Sequence, residues 1–203
     1  DEQAVSWQGQ KRAALNQQQV YPKTEGKSSG GKPMMTWVGV GGTPESVIRT
    51  AHYGFGLVLA IIGGDPLRFA PFVDLYRRAL AQFGQPADLP AAIHSPGFVW
   101  HDDREARDIL WAHHENMVRR IGGERGWAPP TRAQFESEVE QGAQNVGSPD
   151  TVAATIARSI KGLGVQRFNL KYSAGTLPHE QLMTSIRLDA TEVVPRVRKL
   201  LAE

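Results

Sequence analysis

The sequence predicts an α/β fold in which parallel strands alternate with helices, and three observations support this prediction. Short apolar or β-branched runs alternate with segments whose apolar residues recur every three or four positions. Glycine-rich turns, several of them followed by a proline that suits the first position of a helix, separate these segments. The alternation of strand and helix occurs four times, which is typical of βα units around a parallel sheet.

The composition restricts the class of protein. The chain has 203 residues, 40% of them hydrophobic, which is enough for one sizeable core. It contains no cysteine, which excludes disulfides and thiolate metal sites. The net charge is +2 and no basic run reaches five residues, which argues against nucleic acid or a membrane surface as a partner. The longest apolar run, 57–62, is too short to span a bilayer and no signal-like segment opens the chain, so we expect a cytoplasmic protein.

The chain divides into a polar N-terminal part and an α/β domain. Residues 1–33 are polar and rich in glutamine, and their lysine-, serine- and glycine-containing end predicts a linker. Within this part, residues 5–10 and 19–22 predict a short hairpin-like excursion. Residues 34–203 predict the domain itself, with an inserted loop at about 122–147 that carries one short helix.

The elements of the domain follow in order. Residues 35–40 predict a strand, and Thr43 and Pro44 predict the beginning of the first helix. Residues 56–62 are apolar at nearly every position, as in a strand buried on both faces of a parallel sheet. The same periodicities predict further strands at 92–99 and 167–172, and helices that begin near residues 66, 103, 148 and 178. A closed (β/α)8 barrel requires eight units and about 250 residues. The four units predicted here therefore form either a small open sheet or half of a barrel.

Five segments, in the same order and spacing, resemble the bacterial-luciferase-like flavin-dependent monooxygenases. They are residues 37–47, 57–80, 94–99, 146–158 and 167–186. The resemblance implies the C-terminal half, strands five to eight, of a TIM-type (β/α)8 barrel that binds FMN or a deazaflavin. It also implies an oxidoreductase that uses reduced flavin and molecular oxygen on a small organic substrate. The four N-terminal units of the family have no counterpart in this chain, so the resemblance implies that the chain is inactive alone. The alternative is a non-catalytic half-barrel that associates with a copy of itself or with a complementary N-terminal half.

Two glycine turns are the candidate cofactor-binding segments. The resemblance implies that Gly41, Gly42 and Thr43 approach the flavin phosphate, because glycine permits close approach of the backbone and helix N–H groups favour an anion. The alternative is an ordinary helix start. Gly63 and Gly64 end the next strand, where they either line the pocket or only precede a helix capped by Asp65. The pattern recurs at residues 147–152 after a polar segment, which we interpret as a capped helix outside the site.

The polar candidates beyond these turns are fewer. His94 lies near the carboxyl end of the third strand, where it either contacts flavin or substrate or is a packed, hydrogen-bonded histidine. Lys171 and Tyr172 end the last strand, with a site role and a structural role both open. His113 and His114 are adjacent, which directs them to different helix faces, and no metal-binding histidine spacing occurs. The carboxylate pairs Asp102–Asp103 and Glu138/Glu140 fall at helix starts or in loops, where solvation explains them. The sequence assigns no catalytic residue and predicts no metal site.

Overall fold

A computed structural model describes residues 4–19, 21, 34–173 and 175–203, which fall into two units, Asp1–Thr36 and Trp37–Glu203. In the first unit, β1 (Val5–Trp7) pairs antiparallel with β2 (Leu15–Gln18). The predicted hairpin is therefore present, but its second strand lies earlier than the predicted 19–22. The backbone N–H and the side-chain amide of Gln17 both donate to the Ser6 hydroxyl, which fixes this earlier register. Residues 20 and 22 lie outside the described residues.

The second unit contains the predicted alternation of strands and helices. A short 3-10 turn, Pro66–Phe69, leads into its second helix, and a π-helical turn, Asp189–Val193, joins its last two helices. The elements are β3 (Trp37–Val40), α1 (Pro44–His52), β4 (Gly56–Ala60), α2 (Ala70–Gln82), β5 (Ala91–Val99), α3 (Asp103–Arg125), α4 (Arg132–Glu140), β6 (Asn145–Gly147), α5 (Pro149–Leu163), β7 (Arg167–Lys171), α6 (His179–Leu188) and α7 (Val194–Ala202).

The strands of this unit form one parallel sheet centred on β5. Strand β4 lies between β3 and β5, while β7 pairs with β5 along the other edge of residues 92–96. The last three residues of β5 pair instead with β6. Parallel strands place their carboxyl ends on one side of the sheet, and in open α/β sheets this is where ligands bind. The turns after β3, β4 and β6 and the ends of β5 and β7 are therefore on the side where a site is expected.

Strand β6 corrects the prediction of a polar loop at residues 141–146. Residues 145–147 are buried and pair with residues 97–99. The amide of Asn145 donates to the carbonyls of Pro96 and Ala143, which satisfies its polar group inside the fold. Three residues are too few to show a strand periodicity. In addition, the polar side chain of Asn145 does not indicate a buried position.

The main core lies between one face of the sheet and helices α1 and α2. Alternate residues of β3, β4 and β5, such as Val40, Leu59 and Ile93, are buried there against apolar residues of the two helices. The hydroxyl of Tyr76 in α2 donates to the Phe55 carbonyl at 2.6 Å, and burial raises the pKa of this tyrosine. The alternation along each strand directs the intervening residues to the opposite face.

The opposite face, which we call the open face, carries Gly39, Val58, Ala60, His94 and Asn169, which are half-buried or exposed. At the amino end of the strands this face is covered from both sheet edges. The Trp37 ring lies over Gly56, and the guanidinium carbon of Arg167 lies 5.0 Å from the centre of that ring. The carboxyl end of the open face is therefore the more accessible end. Among the residues the structure describes, no helix is both long and apolar enough to cross a membrane.

Candidate functional site

Three turns of similar sequence end strands of the sheet. Each contains glycine, then a residue suited to a helix cap, then proline: Gly41–Pro44 after β3, Gly63–Pro66 after β4 and Gly147–Pro149 after β6. Such a turn presents backbone N–H groups that bind anions. The three turns differ in what accepts hydrogen bonds from those groups, and that difference distinguishes them as candidate sites.

The β3 turn leaves its polar groups available. Gly42 adopts a φ of +114°, which favours glycine, and a Cβ added at Gly41 would meet no atom within 4 Å. Thr43 occupies the N-cap position of α1, but its hydroxyl makes no cap hydrogen bond, contrary to the capping role that the sequence predicts. Within the described part of the chain, no carboxylate accepts a hydrogen bond from the backbone of residues 41–43. An external anion would find donors and space at this turn.

The β4 turn is occupied by a carboxylate of the chain itself. The backbone N–H of Gly64 donates to both carboxylate oxygens of Glu138 in α4, at 2.9 and 3.1 Å. The N–H of Ala143 donates to the same carboxylate at 3.3 Å. The sequence predicts solvation for Glu138 and allows Gly63 and Gly64 to line the cofactor pocket. The structure corrects the first point: Glu138 is half-buried in the position that an external anion would take.

The β6 turn is occupied in the same way, by Asp103 at the beginning of α3. One carboxylate oxygen accepts from the Ser148 N–H at 2.6 Å, and the other accepts from the Thr151 hydroxyl at 2.9 Å. Burial alone would raise the pKa of Asp103, but these hydrogen bonds, together with nearby Arg107, lower it below its usual value. The Ser148 hydroxyl also accepts from the Thr151 N–H, so the predicted capped helix is present. Asp103, for which the sequence predicted only solvation, is a partner of this turn.

His94 lies on the open face, in line with the β3 turn. Its Nδ1 is 3.2 Å from the Asn169 side-chain oxygen, and these residues are neighbours in the β5–β7 register. Ala60 is the β4 neighbour of His94, and the β3–β4 register continued by one residue places Gly41 beside Ala60. Because adjacent strands are about 4.8 Å apart, His94 lies two strands, or about 10 Å, from the β3 turn. Asn169 was missed by sequence reasoning, because its partner is 75 positions away in the chain.

Most of the other polar candidates have structural hydrogen-bond partners. The Lys171 ammonium donates to the Ser173 carbonyl at 2.9 Å, while Tyr172 is exposed. His113 Nδ1 is 2.9 Å from the Thr176 hydroxyl. Ser95, adjacent to His94, donates from a buried position to the Ile61 carbonyl, which ties the end of β4 to β5. No group of three or more metal-binding side chains occurs among the residues described by the structure.

The predicted site residues thus form two groups. Gly41, Gly42, Thr43 and His94 lie along the carboxyl end of the sheet with their polar groups accessible, whereas Gly64 is engaged by Glu138. The sequence offered no signal for the pairing of Glu138 with Gly64, because the two residues are 74 positions apart. Gly142 is an indirect indication of this pairing, because a Cβ at this position would collide with the Glu138 carboxylate.

Several solved structures are similar to this one, and three monooxygenases are among them. Monooxygenase RslO1 from Streptomyces bottropensis matches with a TM-score of 0.69 and 23% identity, over 96% of this chain and 56% of its own. The oxygenating constituent of 3,6-diketocamphane monooxygenase from Pseudomonas putida, solved with FMN, matches with a TM-score of 0.64 and 18% identity, over 96% of this chain and 58% of its own. EDTA monooxygenase from Chelativorans matches with a TM-score of 0.57 and 13% identity, over 97% and 52%.

These likenesses establish the fold, and this chain spans little more than half the length of those proteins. No curated protein matches the sequence. A family model described as luciferase-like monooxygenase matches residues 1–167, which is most of the chain. The chain therefore belongs to the luciferase-like monooxygenase family.

Proposed function

We propose that this chain is part of a flavin-dependent oxidoreductase, and that the β3 turn of Gly41, Gly42 and Thr43 binds the phosphate of FMN or a deazaflavin. One observation carries the proposal: the equivalent turns after β4 and β6 hold Glu138 and Asp103, whereas the β3 turn holds no carboxylate of the described chain. The positive φ of Gly42 and the open space at Gly41 permit close approach of a phosphate.

The isoalloxazine ring would then extend along the carboxyl end of the sheet towards His94. The separation of about 10 Å, two strand spacings, suits the ribityl chain between phosphate and ring. The Asn169 oxygen accepts a hydrogen bond from His94 Nδ1–H, which leaves Nε2 as the ring nitrogen available to flavin or substrate. Gly63 and Gly64 would line this pocket without binding its phosphate, because the Gly64 N–H already donates to Glu138.

The flavin would supply the oxygen chemistry when it is bound in reduced form, and a small organic substrate would receive the oxygen. The chain's own residues would hold the phosphate, orient the flavin ring and exclude water from it. The FMN bound to the 3,6-diketocamphane enzyme and the coenzyme F420 dependence of a similar secondary alcohol dehydrogenase support flavin or deazaflavin as the cofactor class. We also propose that the protein is cytoplasmic.

We further propose that the chain is the C-terminal half of a (β/α)8 barrel and needs a complement for full activity. Strand β3 pairs only with β4 and β7 pairs only with β5 in the described sheet, so both have a free edge. The complement would be an N-terminal half or, in the alternative non-catalytic assembly, a second copy of the chain. Light scattering of the isolated chain tests whether a half-barrel needs a complement. We expect the chain to self-associate. A monodisperse monomer with a cooperative melt would contradict the half-barrel proposal.

The phosphate assignment is tested by comparing FMN with riboflavin, which lacks the phosphate. Thr43→Ala should weaken FMN binding while riboflavin binding hardly changes, whether the chain is assayed alone or with an N-terminal half of a relative. Ser148→Ala is the matched control, because that hydroxyl lies in a turn already occupied by Asp103. Equal losses for both ligands in Thr43→Ala, or a larger FMN-selective loss in Ser148→Ala, would contradict the assignment.

A further inference from the structure

A cavity of about 200 Å³ lies between α5, the last strand β7 and α7, and we call it the α5–α7 cavity. Its charged lining residues are Asp189 and Arg198. Its walls are otherwise apolar and include Ile156, Ile160, Phe168, Leu170, Val193 and Val197. Phe168 and Leu170 alternate along β7 with Asn169, which is on the open face. The α5–α7 cavity and the candidate flavin site are therefore on opposite faces of the sheet.

The carboxylate of Asp189 has no counterion in this cavity. It accepts no hydrogen bond and forms no ion pair with any residue that the structure describes, and burial raises its pKa. Arg198 is exposed and takes no part in this shift, so its guanidinium does not neutralise Asp189. A carboxylate in apolar surroundings without a partner is unfavourable. The cavity therefore favours a ligand that brings hydrogen-bond donors and a positive charge.

The backbone at Asp189 is a second, independent sign of a site. Residues 189–193 form a π-helical turn, in which the Val194 N–H donates to the Asp189 carbonyl five residues earlier. Pro195, in the first turn of α7, has no N–H for the carbonyl four residues before it, which interrupts the regular helical pattern at this point. Turns of this kind are rare and occur frequently at functional sites.

The size of the cavity and its charge define the class of ligand. An apolar cavity of about 150 Å³ is large enough for benzene, so the α5–α7 cavity accommodates one ring or a short alkyl chain with a small polar head. An ammonium head has three donors and the charge opposite to that of a carboxylate. We propose that the α5–α7 cavity binds a small apolar primary amine in its ammonium form, with Asp189 as the counterion. This site goes beyond the proposed function and does not depend on flavin.

The test is a titration of the 203-residue chain with benzylamine at neutral pH, followed by the ¹³C methyl signals of Val193 and Val197. We expect saturable shifts of these signals. Ethylbenzene has the same shape and no ammonium, and should bind at least about tenfold more weakly, the factor for one lost hydrogen bond to a charged group. Asp189→Asn should weaken benzylamine binding by a similar factor and leave ethylbenzene binding unchanged. Asp74→Asn, at an exposed position of α2, is the matched control and should change neither affinity.

Three results would overturn the proposal: no saturable shift with benzylamine, equal affinities for benzylamine and ethylbenzene, or unchanged benzylamine affinity in Asp189→Asn. The comparison of the two ligands on the unsubstituted chain keeps the test decisive if Asp189→Asn fails to fold. FMN should leave the benzylamine affinity unchanged, and competition between them would contradict a site separate from the flavin. Failure of the flavin proposal is distinguishable, since it appears in the Thr43→Ala comparison and leaves the benzylamine titration unaffected.

Discussion

The turns that end β3 and β4 have nearly the same sequence, Gly-Gly-Thr-Pro and Gly-Gly-Asp-Pro, and lie on adjacent strands. The structure nevertheless makes them different. Glu138 places its carboxylate against the Gly64 N–H. The β4 turn therefore binds an anion that the chain itself supplies from helix α4. The β3 turn has no such partner among the described residues, and the Thr43 hydroxyl makes no cap bond. Local sequence creates the anion-binding geometry, and a distant carboxylate determines whether it remains available to a ligand.

The largest loss of unfolding free energy should come from Gly142→Ala, which adds one carbon beside the occupied β4 turn. Gly142→Ala places a Cβ against the Glu138 carboxylate and 2.9 Å from its Cα, so the contact of α4 with Gly64 must shift. Overpacking of this kind typically costs about 1–3 kcal/mol. Gly41→Ala is the matched control, since a Cβ there meets nothing within 4 Å, and it should stay within about 0.5 kcal/mol of the parent. Urea unfolding of the two variants measures the difference, and equal losses would contradict the picture of one occupied and one open turn.

An intermediate effect should appear as pH dependence at the β6 turn. The folded pKa of Asp103 is lowered, so its carboxylate adds stability at pH values above its ordinary pKa. That stability is lost as the pH falls through the lowered folded pKa. Asp103→Asn should therefore reduce stability at neutral pH and flatten the loss of stability between neutral and acid pH. Asp74→Asn, at an exposed position of α2, is the control. Urea midpoints measured across this range would contradict the account if both variants keep the parent's slope.

The smallest effect concerns the two hydroxyl residues at helix starts. Ser148 accepts a cap hydrogen bond from Thr151, so Ser148→Ala should cost about 1 kcal/mol of unfolding free energy. Thr43 makes no such bond, so Thr43→Ala should cost only a few tenths of that amount. Thermal melts of the two variants show which substitution causes the larger loss of stability. A larger loss for Thr43→Ala would mean that its hydroxyl is engaged in capping and is less available to a phosphate.

Much of the architecture was predictable from the sequence because its signals are local. The apolar run in β4, the proline at the start of α1 and the glycine at the end of α5 each define their element without reference to the rest of the chain. Strand β6 was not predictable, because three residues carry no periodicity and its burial depends on β5. The second hairpin strand was misplaced for a similar reason, since the Ser6–Gln17 contact fixes its register.

The candidate site was predictable only in part. Glycine, hydroxyl and proline identified the turns, since these residues act through the backbone at their own position. The sequence could not show which turn is occupied, because Glu138 and Asp103 reach Gly64 and Ser148 through tertiary packing. The contact of Asn169 with His94 depends in the same way on the pairing of β5 with β7.

The central claim is that the β3 turn, and neither of the other two, receives the flavin phosphate. The most direct measurement is a backbone ¹⁵N amide titration of the chain with FMN and, separately, with riboflavin. We expect FMN to shift the amides of Gly42, Thr43 and Glu45, riboflavin to leave them nearly unchanged, and the amides of Gly64 and Ser148 to respond to neither ligand. Shifts at Gly64 or Ser148 as large as those at Thr43, or equal shifts at Thr43 with both ligands, would contradict the claim.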